Sequence, residues 1–476
     1  MPAHSRSVSA FFESPPRAGA RRLLLVSYHF PPDGNVGALR WEMMLRYAAT
    51  RGWTADVLMM DIADTEDLDR ARLDSLPSGT RLFGVRLPSQ PLLAFLQFRQ
   101  RLLPRDRRKS ALASELSEEQ PAADQRWPPG LWDRVNRLKR DMLAKSYYRR
   151  WRRWAAAAAR RGVALSRITE YGCVISSGPP HMAHEAARRI ALAASIPLIT
   201  DFRDPWTSED AATPSVHGKA WKSLSHRYER LALEASALIV VNTASAARFT
   251  TAKYPHLADR IITVMNGADA EPRLAANPAL RFTIAYAGSL YGGRYPQPLF
   301  RAVRRAADAR GLTSDDLLVH FIGVDASQRE PLVEIASREG IGSFFACEAW
   351  RPRAEALALL DRASMVVLLP QVHIHSIPAK LFEYVQRAVW ILVLSEPGTA
   401  VAELLRHTTA DVVSPGDVDA IASVIVRRYD ESRQGVKPVP LNAAGAFSRE
   451  RQAEILFTRI ERITDRPLPE SADRGA

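Results

Sequence analysis

The chain has little cysteine and no long apolar run, and each shortage removes a class of protein. Its two cysteines, Cys173 and Cys347, stand far apart, each inside an apolar run that reads as a strand. They supply no disulfide framework and no zinc-ligand spacing, and they suit a reducing compartment. Both read as small buried hydrophobes. No stretch of roughly twenty apolar residues occurs, so no bilayer-spanning helix is expected. Residues 1–20 are polar and carry proline, without an apolar segment of signal-peptide length. They and the residues after about Pro467 are expected as loose tails. No G-x-G-x-x-G follows an apolar run and no Walker-type lysine loop is present, which argues against ordinary dinucleotide dehydrogenases and P-loop NTPases. No carboxylate cluster suggests a bound cation, so no metal site is expected.

What is present is a folded composition: 46% hydrophobic and 25% charged residues over 476 positions, enough for two cores. Apolar runs of strand length alternate with amphipathic stretches of helix length. The first series is Leu23–Ser27, a helix from Gly37 to about Arg51, Ala55–Met60, Gly172–Ser177 and a helix over His181–Ala194. It continues through Pro197–Phe202, Gly218–Ala235, Leu238–Asn242, Ala244–Tyr254 and Ile261–Met265. The pattern lapses around Asp269–Arg281 and restarts at Phe282–Ala287, with later strands at Leu317–Ile322, Ser343–Ala346, Met365–Leu369 and Trp390–Leu394. Alternation of this kind predicts α/β architecture with parallel sheets, here two Rossmann-like doubly wound domains. We place them at residues 21–268 and 280–440, followed by a C-terminal helix at 445–466 that packs back toward the first domain. Ligands of such sheets gather at the carboxyl ends of the strands, which places a cleft there.

The most specific segment is Ser376-Ile-Pro-Ala-Lys-Leu-Phe-Glu-Tyr384, preceded by His375. Pro378 suits a first helical turn. Lys380 would sit near a helix N-terminus, an electrostatic conflict that an arriving anion removes. Glu383, three residues on, lies on the same face and can accept hydrogen bonds from a ribose diol. The alternative is an exposed Lys380–Glu383 pair.

This segment resembles the donor-binding signature of family-4-type glycosyltransferases of the GT-B fold. Many members carry two glutamates separated by seven residues; others carry a Ser/Pro/Lys/Glu-Tyr variant, which this chain matches from Ser376 to Tyr384. The resemblance assigns Lys380 to the donor diphosphate and Glu383 to the donor ribose, with Ser376 also among the donor-binding residues. The chain departs at the first glutamate, where His375 stands eight residues before Glu383. Tyr286-Ala-Gly-Ser-Leu-Tyr-Gly-Gly-Arg294 is similar to the family's glycine-rich loop. Glycine lets backbone approach a phosphate and Arg294 can bind it in a charge-assisted way, so Gly288, Ser289 and Arg294 join the donor set. Tyr28-His-Phe-Pro-Pro-Asp-Gly-Asn-Val-Gly37 resembles the loop after the first strand, with Gly37 toward the donor and Asp33, Gly34 and Arg40 toward the acceptor. Two further segments, Ser176-Ser-Gly-Pro-Pro-His181 and Thr200-Asp-Phe-Arg-Asp-Pro-Trp206, end neighbouring strands. They are similar to Pro-Pro-x-His and Asp-x-Arg-Asp-Pro-Trp segments of that family, and the resemblance implies His181 and Asp204 as candidate catalytic residues, with Asp201 and Arg203 beside them in the cleft. Capping and an Arg–Asp pair are the plainer reading of the aspartates.

The resemblance implies sugar transfer from a nucleoside diphosphate sugar, a co-substrate rather than a cofactor, to a glycan or lipid-linked acceptor. It implies retention at the anomeric carbon and a departing diphosphate met by cationic side chains without a metal. A catalytically inactive nucleotide-binding scaffold and a same-fold sugar-nucleotide epimerase are the competing readings.

The net charge of +13 is concentrated between Pro88 and Leu165, where 18 Lys or Arg face 7 Asp or Glu. Tyr147, Tyr148, Trp151 and Trp154 interleave with that charge. Residues 88–165 therefore read as a basic helical insert in the first domain. Such an insert suits an anionic membrane surface on the cytoplasmic side. A solvated helical hairpin packed on the first domain is the alternative. Nucleic acid is not an expected partner, because the charge is local and no nucleic-acid motif appears.

Overall fold

The computed structural model describes residues 9–65, 68–88, 131–208, 219–268, 281–288, 290, 295–370, 374–442 and 444–465. It divides into two compact units. One gathers the described residues of Met1–Pro91, Pro129–Asn266 and Arg449–Ala476, and the other those of Gly267–Ser448.

The first unit begins with β1 (Phe12–Glu13) and β2 (Arg21–Ser27), then α1 (Leu39–Thr50), β3 (Trp53–Met60), β4 (Arg81–Val85) and α2 (Leu131–Ser166). It continues with β5 (Cys173–Gly178), α3 (Met182–Ala194), β6 (Leu198–Phe202), α4 (Lys219–Ala235), β7 (Leu238–Val241), α5 (Ala244–Lys253) and β8 (Ile261–Thr263). The second unit holds β9 (Phe282–Ala287), α6 (Gln297–Arg310), β10 (Leu317–Ile322), α7 (Ala326–Arg338), β11 (Phe345–Cys347) and α8 (Arg353–Asp361). After these come β12 (Met365–Leu368), α9 (Ala379–Tyr384), β13 (Trp390–Leu394), α10 (Ala400–Leu405), β14 (Asp411–Val413) and α11 (Val418–Arg433). The last helix, α12 (Arg449–Thr464), belongs to the first unit.

The first unit's sheet runs β1-β4-β3-β2-β5-β6-β7-β8, parallel throughout except for the antiparallel edge pair β1–β4. A parallel strand is covered on both faces, so its whole run must be apolar. Leu23–Val26 of β2 shows the consequence, with no exposed surface at any of the four. Leu24 and Val26 face a core shared with α2, α3 and α4; Leu23 and Leu25 face one built with Trp41 of α1 and Leu456, Phe457 and Ile460 of α12. The second sheet runs β11-β10-β9-β12-β13-β14, all parallel. In each sheet the chain winds outward to one side and then returns past its first strand. The reversal falls between β2 and β5 in the first unit and between β9 and β12 in the second, and ligands of doubly wound sheets sit at such switch points.

Two expectations are corrected. Residues 9–20 are not a loose tail: Phe12 and Glu13 pair with Leu82 and Arg81, and the Ser14 hydroxyl donates to the Pro77 carbonyl at 2.8 Å. The described part of 88–165 is also not an appended insert. With β4 in the sheet, α2 is the crossover between β4 and β5. Trp154 has no exposed surface and donates from Nε1 to the Val85 carbonyl at 3.1 Å; Tyr148 is buried and meets the Ser225 hydroxyl at 2.6 Å. Trp151 packs edge-on against Tyr28 with ring centroids 4.8 Å apart. The aromatic residues between the arginines are therefore core, as the periodicity of a half-buried helix requires. Residues 89–130 lie outside the described residues.

Candidate functional site

In the first unit, the loops after β2, β5 and β6 converge at the switch point. The loop after β2 is held by its own side chains. His29 Nδ1 lies 2.6 Å from Asp33 Oδ2, the Asn35 amide donates to Asp33 Oδ1 at 3.1 Å, and the Gly37 amide donates to Asn35 Oδ1 at 2.9 Å. Gly34 lies half-buried within it. Arg203, just past β6, donates one terminal nitrogen to the Gly37 carbonyl and the other to the Pro179 carbonyl, joining the first loop to the proline turn after β5. A Cβ on Gly37 would stand 2.7 Å from Arg203 Nη1. The close approach that glycine permits here is to the Arg203 guanidinium.

Asp201 and Arg40 are likewise taken up by the protein. The Asp201 carboxylate has no exposed surface and accepts from Arg40 Nε at 2.9 Å, Arg40 Nη2 at 2.8 Å, Trp41 Nε1 at 2.8 Å and Ser177 Oγ at 3.1 Å. The remaining Arg40 donors reach Asn266 Oδ1 at 3.0 Å and the Val264 carbonyl at 2.9 Å. A buried pair so fully satisfied positions backbone, and neither group is presented to a ligand. Asp33 is buried in its loop in the same way.

His181 stands at the N-terminus of α3 without a side-chain capping bond and stacks on Trp206, with ring centroids 5.0 Å apart and planes 18° apart. One turn on, His184 receives or donates a hydrogen bond between Nδ1 and Ser176 Oγ at 2.9 Å and lies over Phe202 at 4.2 Å. Among the described residues, His181 Nδ1 and His184 Nε2 are buried without a partner. Burial holds both rings neutral: it pushes His181 well below the usual histidine pKa, aided by His184 and Arg203, and His184 down to about 3. A neutral His181 can exchange a hydrogen bond but cannot offer positive charge. Asp204 follows Arg203, and its charge acts on that buried guanidinium. His184 escaped the sequence reading; its signal was the i, i+3 spacing from His181 on one helix.

The second unit brings Gly288, Lys380 and Glu383 together. Gly288 follows β9 with φ at +98°, a conformation that side chains with a Cβ rarely adopt. A Cβ there would stand 2.7 Å from Lys380 Nζ, so the ammonium lies directly on the glycine backbone. Lys380 Nζ is 3.4 Å from Tyr286 Oη and 4.5 Å from the centre of that ring. The Tyr384 hydroxyl, on the same short helix, accepts from the Ala287 amide at 3.4 Å and ties α9 to the end of β9. Gln328 of α7 accepts from the Leu290 amide at 3.1 Å and donates to the Leu290 carbonyl, tethering the glycine-rich turn. Ser289 and Arg294 of that turn lie outside the described residues, and Ser376 is half-buried ahead of α9. Because α9 has only six residues, the cationic character of the site rests on Lys380 more than on a helix dipole.

Glu383 does not pair with Lys380. Its Oε1 accepts from Arg353 Nε at 3.1 Å and Nη2 at 2.6 Å, and Arg387 Nη1 donates to the Glu383 carbonyl at 2.6 Å. Arg353 was not legible as a site residue, since it lies thirty positions upstream of Glu383 and carries no motif. Among the described residues, no group of three or more His, Cys, Asp and Glu side chains is arranged to hold a metal ion. None of the described helices is long and apolar enough to cross a membrane.

No protein-family model and no curated protein sequence matches this chain. Solved structures do. Anabaena HepE in complex with UDP and glucose superposes with a TM-score of 0.55 at 11% identity, over 93% of this chain and 100% of that one. Sucrose-phosphate synthase from Thermosynechococcus elongatus gives 0.58 at 12% identity, over 94% and 99%. The lipopolysaccharide outer core galactosyltransferase WaaB in its apo form gives 0.52 at 12% identity, over 92% and 99%. These neighbours are GT-B proteins, and the fold of this chain is GT-B, built from two Rossmann-like parallel-sheet units. At such identities the likeness establishes the fold alone.

Proposed function

We propose that the chain is a glycosyltransferase that moves a sugar from a nucleoside diphosphate sugar to a glycan or lipid-linked acceptor. The observation that carries this reading is Lys380 lying on the Gly288 backbone where the second sheet reverses between β9 and β12. A compact cation over a Cβ-less turn suits a diphosphate, and UDP is the first nucleotide to test because HepE was solved with it. As the bond from the anomeric carbon to the diphosphate breaks, negative charge grows on the departing oxygen. Lys380, joined by Ser289 and Arg294, would stabilise it without a metal. Neutral His181 would exchange a hydrogen bond with donor sugar or acceptor, and Asp204 would orient the acceptor hydroxyl. Retention follows the resemblance and is read from the anomeric coupling of the product; turnover that requires a divalent ion would overturn the metal-free account.

The test is calorimetric titration with UDP, GDP and ADP in parallel with Lys380→Ala. One diphosphate should bind, and the variant should lose at least about tenfold in affinity, as expected for a charge-assisted contact of about 1.5–3 kcal/mol. No binding to any of them sinks the donor site. Binding without transfer favours the scaffold reading, for which His375 in place of a glutamate speaks, and conversion of donor alone favours the epimerase.

We further infer that the outer face of α2 rests on anionic lipid. Lys145, Arg149, Arg152, Arg153 and Arg160 are exposed along one side of that helix, and Leu138 and Met142, 63% and 56% exposed, extend the same stripe. Each such cation contributes about 1 kcal/mol near an anionic surface. Cosedimentation with phosphatidylserine vesicles should be lost on reversing Arg149, Arg152 and Arg153 to Glu; unchanged binding would remove this face from the account.

A further inference from the structure

Glu383 is held in a way that the donor signature does not foresee. Arg353 directs both Nε and Nη2 to the single oxygen Oε1. No hydrogen bond from the described residues reaches Oε2 of that carboxylate. Arg353 is the first residue of α8, and the other end of that helix is also fixed to the same region: Asp361 lies 2.9 Å from Nε of Arg387, which is almost fully buried. Arg387 in turn donates to the Glu383 carbonyl. The helix α8 is thus tied to the α9 region at both ends, which places the backbone of Arg353 within reach of Glu383, while the Arg353 side chain itself is 61% exposed.

We propose that Arg353 is a positioning residue of the donor site: it anchors one oxygen of Glu383 so that the other is presented to the ribose hydroxyls of the nucleotide. The proposal rests on the donor-site reading given above. A plain surface ion pair contributes little, because both partners keep their water. This one differs in what it leaves over. A carboxylate fixed through one oxygen retains an acceptor in a defined direction, one helical turn beyond the cation that meets the diphosphate.

The experiment compares UDP with 2′,3′-dideoxy-UDP on the full-length protein by calorimetry. The wild type should prefer UDP by about tenfold, the scale of a hydrogen bond to a charged group. Glu383→Ala should erase the preference. Arg353→Ala should reduce it to about threefold or less while leaving dideoxy-UDP binding unchanged, and Arg353→Lys should recover part of it. Lys380→Ala weakens both ligands alike, because it meets only the phosphates. Arg351→Ala, which breaks contacts to Glu348 and Glu355 beside Arg353, controls for damage to α8 and should keep the wild-type ratio. Wild-type binding of UDP with an unaltered ratio in Arg353→Ala overturns the inference and spares the donor site. Absence of wild-type UDP, GDP and ADP binding overturns both.

Discussion

The two switch points are built from similar residue types and use them in opposite ways. In the first unit, Arg40, Asp201 and Asp33 are buried, Arg203 is half-buried, and all four are bonded to protein, with Asp201 accepting from Arg40, Trp41 and Ser177. In the second, Lys380 and Glu383 stay half-buried, and Arg353 reaches Glu383 through the single oxygen Oε1. A charge spent on the fold is costly to remove and contributes little to recognition; a charge left half-open is cheap to remove and contributes most of it. The first unit's apparent cleft residues therefore hold the loops, while the second unit's residues are the ones proposed to meet a ligand.

The sharpest way to break this contrast is Asp201→Ala. Removal of that carboxylate strands the Arg40 guanidinium in the core and should cost about 3–5 kcal/mol in urea denaturation. A loss under about 1 kcal/mol would return Asp201 to the ligand-facing set.

Acidification should act next, and again on the first unit. His184 has a folded pKa of about 3 against an ordinary unfolded value, so between pH 6.5 and 3 the unfolded chain binds more protons than the folded one. Stability is fully present above about pH 6.5 and falls as pH drops through that window, with a slope approaching about 1.4 kcal/mol per pH unit for this ring. His184→Gln should flatten the slope; an equally steep fall in the variant would place the proton elsewhere.

The smallest stability effect belongs to the second unit. Lys380→Ala should shift denaturation by no more than about 0.5 kcal/mol while it removes nucleotide binding. A large destabilisation would mean that this ammonium, too, is spent on the fold.

Much of the architecture was legible because parallel strands are buried on both faces. LLLV in β2 and LIVV in β7 announce themselves as continuous apolar runs. The strand β4 (RLFGV) did not, since its Arg81 turns a charge onto Asp56 at 2.5 Å and its Gly84 packs within 3.1 Å of the Asp61 Cα as seen from a would-be Cβ. Missing that strand made the helix after it look like an insert, and made its tryptophans look like a membrane face. Short β1 had too few residues for any period to show.

The sequence by itself determined the two doubly wound units and marked the segment from Ser376 to Tyr384 as a candidate, because strand burial and local helix spacing are written in neighbouring residues. Only the tertiary structure decided which charges are buried in the fold and which stay half-open. That choice depends on partners far away in the chain, Asp201 with Arg40 and Glu383 with Arg353, and no local pattern records it.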